Sequence, residues 1–183
     1  MAVDDFRIET PRLLLRVPRA GDLDGFAALM ADEESAKFIG GAMPRSTTWR
    51  GLMTMIGSWH SLGFTMFSVI ERSSGEWIGR VGPWMPEGWP GPEVGWAIKR
   101  DRWGCGYAPE AAIAATTWAF DHLGWDRVIH CIDPLNTPSQ AVARKIGARN
   151  LGPGTLPPPF HEATIDIWGQ SRSEWRARHA GHG

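Results

Sequence analysis

Residues 96–110, Trp-Ala-Ile-Lys-Arg-Asp-Arg-Trp-Gly-Cys-Gly-Tyr-Ala-Pro-Glu, decide how the rest of the chain is read. They run as the end of a strand, a basic turn, a glycine loop and the start of a helix. Gly104 and Gly106 withdraw side chains where a backbone can approach a ligand closely, and Pro109 has the fixed φ favoured at a first helical position. Ala108, just before it, cannot cap the orphan N–H groups as Ser, Thr, Asp or Asn would, so these donors are left for an outside anion. Lys99, Arg100 and Arg102 add positive charge upstream. With the helix dipole they favour a phosphate, against which Glu110 counts mildly.

The glycines alone are equally compatible with an ordinary strand-to-helix turn. Known phosphate motifs narrow the choice. No Gly-Lys-Ser/Thr follows, which excludes the P-loop, and Pro109 stands where a dinucleotide fingerprint needs its third glycine.

The chain has 183 residues, 43% of them hydrophobic, enough for one domain with a substantial core and too few for two comfortable ones. A formal net charge of −1 gives no global attraction to nucleic acid or an anionic membrane, so a basic site has to be local, as at Lys99–Arg102. Cys105 and Cys131 are the two cysteines, and neither their number nor their spacing makes a disulfide framework or a metal site. The first residues, Met-Ala-Val-Asp-Asp-Phe-Arg, lack the basic and apolar regions of a signal peptide, and no segment has the apolar length of a membrane span. A soluble, cytoplasmic protein is expected.

Outward from the loop, the periodicity predicts a first strand over residues 7–17 with Leu13, Leu15 and Val17 on one face. A helix capped by Asp22, carrying Leu23, Phe26, Ala27 and Met30, runs to Gly40-Gly41. A second, capped by Ser46, carries Trp49, Leu52, Met53, Ile56 and His60 and stops at Gly63. Strands at 64–70 and 77–84 flank an Arg-Ser-Ser-Gly turn, and a stiff Pro/Gly/Trp loop leads to the strand Glu93–Ile98. An Ala-rich buried helix from Pro109 to Leu123, a buried strand at 127–132 and a short helix closed by Gly147 follow. Strands near 149–151 and 163–168 complete the chain, with residues 176–183 as a frayed tail. This order of strand, two helices, three strands, helix, strand, helix and two strands is an α/β or α+β fold with a mixed sheet.

Trp103-Gly104-Cys105-Gly106-Tyr107-Ala108 resembles the acetyl-coenzyme A pyrophosphate loop of the GCN5-related N-acetyltransferases, in the form Trp-Gly-x-Gly-Tyr-Ala-x-Glu of their ribosomal-protein N-terminal acetyltransferase-like branch. Trp103 departs from the Gln/Arg of the general pattern. The opening Thr-x-Arg-Leu-x-Leu-Arg, the Glu-Val-Gly-Trp at 93–96 and the Asn-x-x-Ser at 136–139 are also similar to that branch, with Ala148 replacing its usual phenylalanine. The resemblance covers about residues 7–170. It implies a single acetyltransferase domain with a mostly antiparallel twisted sheet flanked by about four helices, its fourth and fifth strands (93–98 and 127–132) splayed in a V.

It also implies a set of roles. Acetyl-coenzyme A is the acyl donor, its pyrophosphate on the amides of Gly104, Cys105, Gly106, Tyr107 and Ala108 beside Trp103, and its pantetheine arm along Trp96, Ala97 and Ile98. A backbone N–H near Trp96 would stabilise the oxyanion formed when a primary amine attacks the thioester directly. The ammonium must first lose a proton. Glu93 is the candidate base, its alternative reading being a solvent-exposed carboxylate at a strand end, with Glu87 and His161 as weaker substitutes. Many members of the family protonate the departing thiolate with a tyrosine, which this chain lacks there, and Ser139 takes that place. Asn136 is assigned to the pantetheine, against a reading in which Thr137, Pro138 and Gln140 form a capping box and Asn136 is a turn residue.

The resemblance implies a small amine or a protein N-terminus as the acceptor, Trp84 and Trp89 being placed to stack on a cationic one. The resemblance is compatible with a homodimer. Other readings are a non-catalytic acyl-coenzyme A sensor or interaction module, and a nicotinamide dinucleotide enzyme, which the broken glycine pattern opposes. Cys105 as a nucleophile lacks a companion base, and Cys131 and His130 are read as core residues.

Overall fold

The computed structural model describes residues 6–179. Eight strands form one sheet in the order β1-β2-β3-β4-β5-β6-β8-β7, with β1 Arg7–Glu9, β2 Leu13–Arg16, β3 Phe67–Glu71, β4 Trp77–Trp84, β5 Glu93–Ile98, β6 Arg127–Ile132, β7 Arg149–Gly154 and β8 Ile165–Ser171. Every neighbouring pair is antiparallel except β5 and β6, which run parallel and share the single register pair Glu93↔Ile129. The helices are α1 Leu23–Ala31, α2 Glu33–Ala36, α3 Arg45–Leu62, α4 Tyr107–His122, α5 Thr137–Ile146 and α6 Arg172–His179.

The sheet separates two apolar layers. On one face α4 lies against β4 and β5. Ala111, Ala112, Ala115 and Ala119 are fully buried, and their small side chains let the helix approach Val81, Val94 and Ile98 closely. On the other face α1 and α3 bury Phe26, Leu29, Met30, Leu52 and Met55 around Met66 and Trp77. Leu13, Leu15 and Val17 are buried as the alternation predicts.

Several expectations are corrected. The first strand is a hairpin, because Thr10 N donates to Leu13 O (2.9 Å) and Pro11 turns the chain. Asp22 makes no side-chain cap of α1. It is buried, accepting from Arg16 (2.5 and 2.8 Å), Ser68 Oγ (2.7 Å) and Arg19 N (3.0 Å), and thereby fastens the start of α1 to β2 and β3. Asp32 ends α1 and caps α2. Pro44, rather than Ser46, stands at the N-cap of α3. Arg176 to His179 belong to α6, which is pinned by buried Trp175 packed against Phe120, while residues 180–183 of the expected tail lie outside the described residues.

Candidate active site

Beyond Glu93 and Ile129, β5 and β6 part, and side chains replace the missing strand-to-strand bonds. Glu93 Oε1 accepts from Cys131 N (2.9 Å), and His130 Nδ1 lies 2.7 Å from Val94 O. These bridges hold the mouth of the V at a fixed width. Below them opens a cleft of about 380 Å³ lined by Trp84, Trp89, Glu93, Trp96, His130 and Ser139, among others. The Val94 carbonyl points toward β6. The Ile98 carbonyl, taken by Trp103 Nε1 at 2.7 Å, points away from β4 in the same sense. Strand alternation then turns the N–H of Trp96, midway between them, into the open gap.

Glu93 is 7% exposed, which corrects the reading of a solvated strand-end carboxylate. Its Oε2 accepts from Trp89 Nε1 (2.6 Å), so Trp89 supports the carboxylate. Burial raises the Glu93 pKa, and the hydrogen bonds from Cys131 and Trp89 and the charge of Arg80 pull against that rise. Glu87 and His161 are exposed and do not line the cleft.

Trp96, Asn136 and Ser139 meet in the cleft wall. Trp96 Nε1 donates to Ser139 Oγ (3.2 Å), leaving that hydroxyl hydrogen free to turn inward. Asn136, not Thr137, is the N-cap of α5: its Oδ1 accepts from Ser139 N (3.1 Å), while Gln140 Nε2 bonds back to Pro134 O (2.8 Å). The capping reading and the cleft-lining position therefore coexist in Asn136, whose amide NH2 stays available. Ala97 faces the α1/α3 layer and Ile98 the α4 core, so only backbone from these two borders the gap.

The glycine loop lies beyond the far end of β5, outside the cleft. Gly104 (φ +74°) and Gly106 (φ +79°) adopt the left-handed conformation that glycine accepts without strain. Gly106 is the N-cap of α4, so the helix begins at Tyr107, two residues ahead of the expected Pro109 start. The N–H groups of Gly104, Cys105, Gly106, Tyr107 and Ala108 have no acceptor among the described residues. Trp103 braces the loop through its bond to Ile98 O.

Glu110 does not oppose an anion, because it is taken up by Thr10 Oγ1 (2.6 Å) and by Arg12 Nε and Nη2 (both 2.7 Å), while Arg12 Nη1 also holds Cys105 O (2.8 Å). The upstream cations are less free than their sequence implies. Arg102 pairs with Glu76 and Asp101, Lys99 lies near Asp101 and Arg100 near Asp32. The Tyr107 hydroxyl donates to Glu71, so it too is occupied.

Sequence reasoning missed three cleft residues. His130, read as core, is 1% exposed and lines the cleft. A carbonyl oxygen can only accept, so Nδ1 carries the proton and Nε2 keeps a lone pair, buried and without a partner. Burial lowers its pKa to about 4, the bond to Val94 pulling the other way. Arg80 also lines the cleft. Its signal was a lone charge in the otherwise apolar strand Trp77–Trp84. Cys131 borders the cleft as well, its thiol kept protonated by burial and by Glu93.

A splayed parallel pair between antiparallel halves, with a free-amide loop at the end of one splayed strand, defines an acyltransferase-type fold. The acetyltransferase (GNAT) domain family matches residues 12–149, and the chain belongs to that family of N-acetyltransferases. It is 30% identical to the uncharacterised N-acetyltransferase p20 of Bacillus licheniformis over 146 residues, 78% of this chain and 82% of that one. Other curated relatives are matched over about half their length. The crystal structure of an acetyltransferase from Agrobacterium tumefaciens superposes with a TM-score of 0.79 at 28% identity, covering 91% of this chain and 95% of that one. RimJ of Mycobacterium smegmatis, solved in complex with CoA-disulfide, shares the fold with a TM-score of 0.72 at 19% identity over 92% and 88% of the two chains. Acyl-coenzyme A is the donor that the family uses. No helix among the described residues is long and apolar enough to cross a membrane.

Proposed function

We propose that this domain moves an acetyl group from acetyl-coenzyme A to a primary amine by direct attack. The observation that carries the reading is the run of unpartnered N–H groups from Gly104 to Ala108, at the end of the strand that borders the splayed cleft. Such a nest, at the positive end of α4, suits a pyrophosphate. The pantetheine arm would then follow β5 into the gap, where the Asn136 amide can donate to it.

In the reaction the amine lone pair forms the C–N bond, the C–S bond breaks with its pair on sulfur, and a proton passes from the amine to the thiolate. Glu93, with its raised pKa, removes the amine proton directly or through one water. The Trp96 N–H stabilises the developing oxyanion. Ser139, its oxygen held by Trp96 Nε1, returns a proton to sulfur. The unpaired, exposed Cys105 suits a reducing cytoplasm.

Calorimetric titration with acetyl-coenzyme A, with NADH as control, tests the donor. Saturable one-to-one binding of acetyl-coenzyme A alone is expected, followed by thiol release when amines are supplied. No binding would refute the reading. Binding without turnover of any amine would favour an acyl-coenzyme A sensor.

A further inference from the structure

The Glu93 wall of the cleft is faced by a guanidinium that forms no direct ion pair with a carboxylate among the described residues. In the β4–β5 ladder Arg80, Gly82 and Trp84 stand opposite Ala97, Gly95 and Glu93, so Arg80 and Glu93 emerge on the same face of the sheet, under α1 and α3. Arg80 Nη1 donates to Met66 Sδ (2.8 Å), its Cζ lies 5.4 Å from the Phe26 ring centroid, and its Nε is shielded from solvent with no acceptor.

Other arginines are served differently. Arg16 is paired with Asp22 and Arg102 with Glu76, but no carboxylate among the described residues comes within ion-pairing distance of Arg80. A thioether and a ring face are weak partners for a desolvated charge, whose burial is costly until an anion meets it. Burial lowers the Arg80 pKa to about 10, with the charge of Glu93 pulling against that fall, so it remains a cation at neutral pH.

Met66 touches this cation and lies near Glu93. Its Sδ takes Arg80, and its Cε lies 2.7 Å from where a Cβ on Gly95 would be, a point only 3.7 Å from Glu93 Oε1. Arg80 and Glu93 therefore line one cleft and feel each other's charge without forming a direct ion pair.

We propose that the acceptor carries a carboxylate as well as its amine, with Arg80 binding the carboxylate while the amine lies at Glu93. The inference rests on the acetyltransferase reading above and narrows its substrate class. A polyamine would bring further cations against Arg80, and a peptide with an amidated C-terminus and no acidic side chain would bring it no anion at all. An amino acid, with its amine α or further from the carboxylate, satisfies both walls.

The test measures kcat/KM by thiol release from acetyl-coenzyme A. The panel comprises amino acids of increasing amine-to-carboxylate distance, their carboxamides, a C-terminally amidated peptide with no acidic side chain, and spermidine. At least one amino acid should exceed its carboxamide by about 10- to 100-fold, the range for a hydrogen bond to a charged group. An α-carboxamide has the more weakly basic amine and hence a larger fraction of free base at neutral pH, so this preference would run against the availability of the unprotonated amine. Arg80→Met should bring the ratio close to one with acetyl-coenzyme A affinity unchanged, and Arg80→Lys should retain part of it.

Equal or better use of carboxamides, peptide or spermidine by the parent protein overturns the inference, as does a ratio unchanged in Arg80→Met. The parent comparison decides even where that variant does not fold. Acetyl-coenzyme A binding with no amino acid acetylated also overturns it and leaves the donor reading standing, whereas failure to bind acetyl-coenzyme A removes both.

Discussion

Glu93→Gln separates the proposed base from its scaffold. Glutamine keeps the size of the side chain and one acceptor. Its NH2 must nevertheless face either Trp89 Nε1 or Cys131 N–H, donor against donor. One buried donor left unpaired costs about 1–3 kcal/mol, and release of the desolvated charge works in the opposite direction. Urea unfolding should therefore place the variant within about 3 kcal/mol of the parent. Acetyl-coenzyme A affinity should hold, because the loop that would bind the pyrophosphate lies outside the cleft.

Turnover should fall far more, by about 10²–10⁴-fold as for a lost general base, or about 2.7–5.5 kcal/mol in the barrier. The pH profile is the second readout. Burial holds the Glu93 pKa above the usual carboxylate range and the reactive form is the carboxylate, so kcat should rise with pH through that raised value. That limb should vanish in Glu93→Gln. The linked stability has the opposite sense: with the folded pKa above the unfolded one, the contribution of Glu93 is complete below the unfolded pKa and is lost as pH rises through the folded value. A tenfold or smaller loss of kcat, with the rising limb intact, would refute the assignment and leave Glu93 as a bridge between β5 and Cys131.

Other perturbations read other parts of the molecule. Gly106→Val places a branched side chain at φ +79° with its Cβ 3.3 Å from Arg12 Nη2, so acetyl-coenzyme A affinity measured by calorimetry should drop at least tenfold while the far-UV CD spectrum is retained; unchanged affinity removes the loop from the site. Asp22→Ala strands Arg16 and should cost about 3–5 kcal/mol in urea unfolding, a loss under 1 kcal/mol excluding the buried hub. Although burial pushes the Asp22 pKa up, its hydrogen bonds bring it below the usual value. Its stabilisation is therefore present above the unfolded pKa and lost as pH falls through the folded one. His130, depressed to about 4, should show no NMR titration of its ring between pH 5 and 8, and a midpoint near 6.5 would contradict its buried neutral state.

The parts of this protein legible in its sequence are those set by local rules. Leu13, Leu15 and Val17 alternate, the Ala-rich run before Gly124 has helical burial, and Gly104 and Gly106 sit where a backbone must turn left-handed; each follows from residues within a few positions of one another. Glu93, Asn136 and Ser139 were visible as candidates because Glu-Val-Gly-Trp and Asn-x-x-Ser are short motifs. Their surroundings were not. Asp22 looked like a helix cap because its covalent neighbours suit one, yet Ser68, 46 positions away, helps bury it as a hub.

Tertiary structure alone decided the chemistry of the cleft. Whether Glu93 is solvated depends on Trp89 and on Cys131 of a strand 38 residues away, reached only because β5 and β6 start together and then part. His130 faces the cleft because Val94 turns its carbonyl to it, and Arg80 directs Nη1 to Met66 Sδ rather than into an ion pair. Local sequence dictates backbone conformation through sterics and periodicity. The protonation and pairing of a buried group depend instead on what distant segments bring within hydrogen-bonding distance, and only the assembled sheet specifies that.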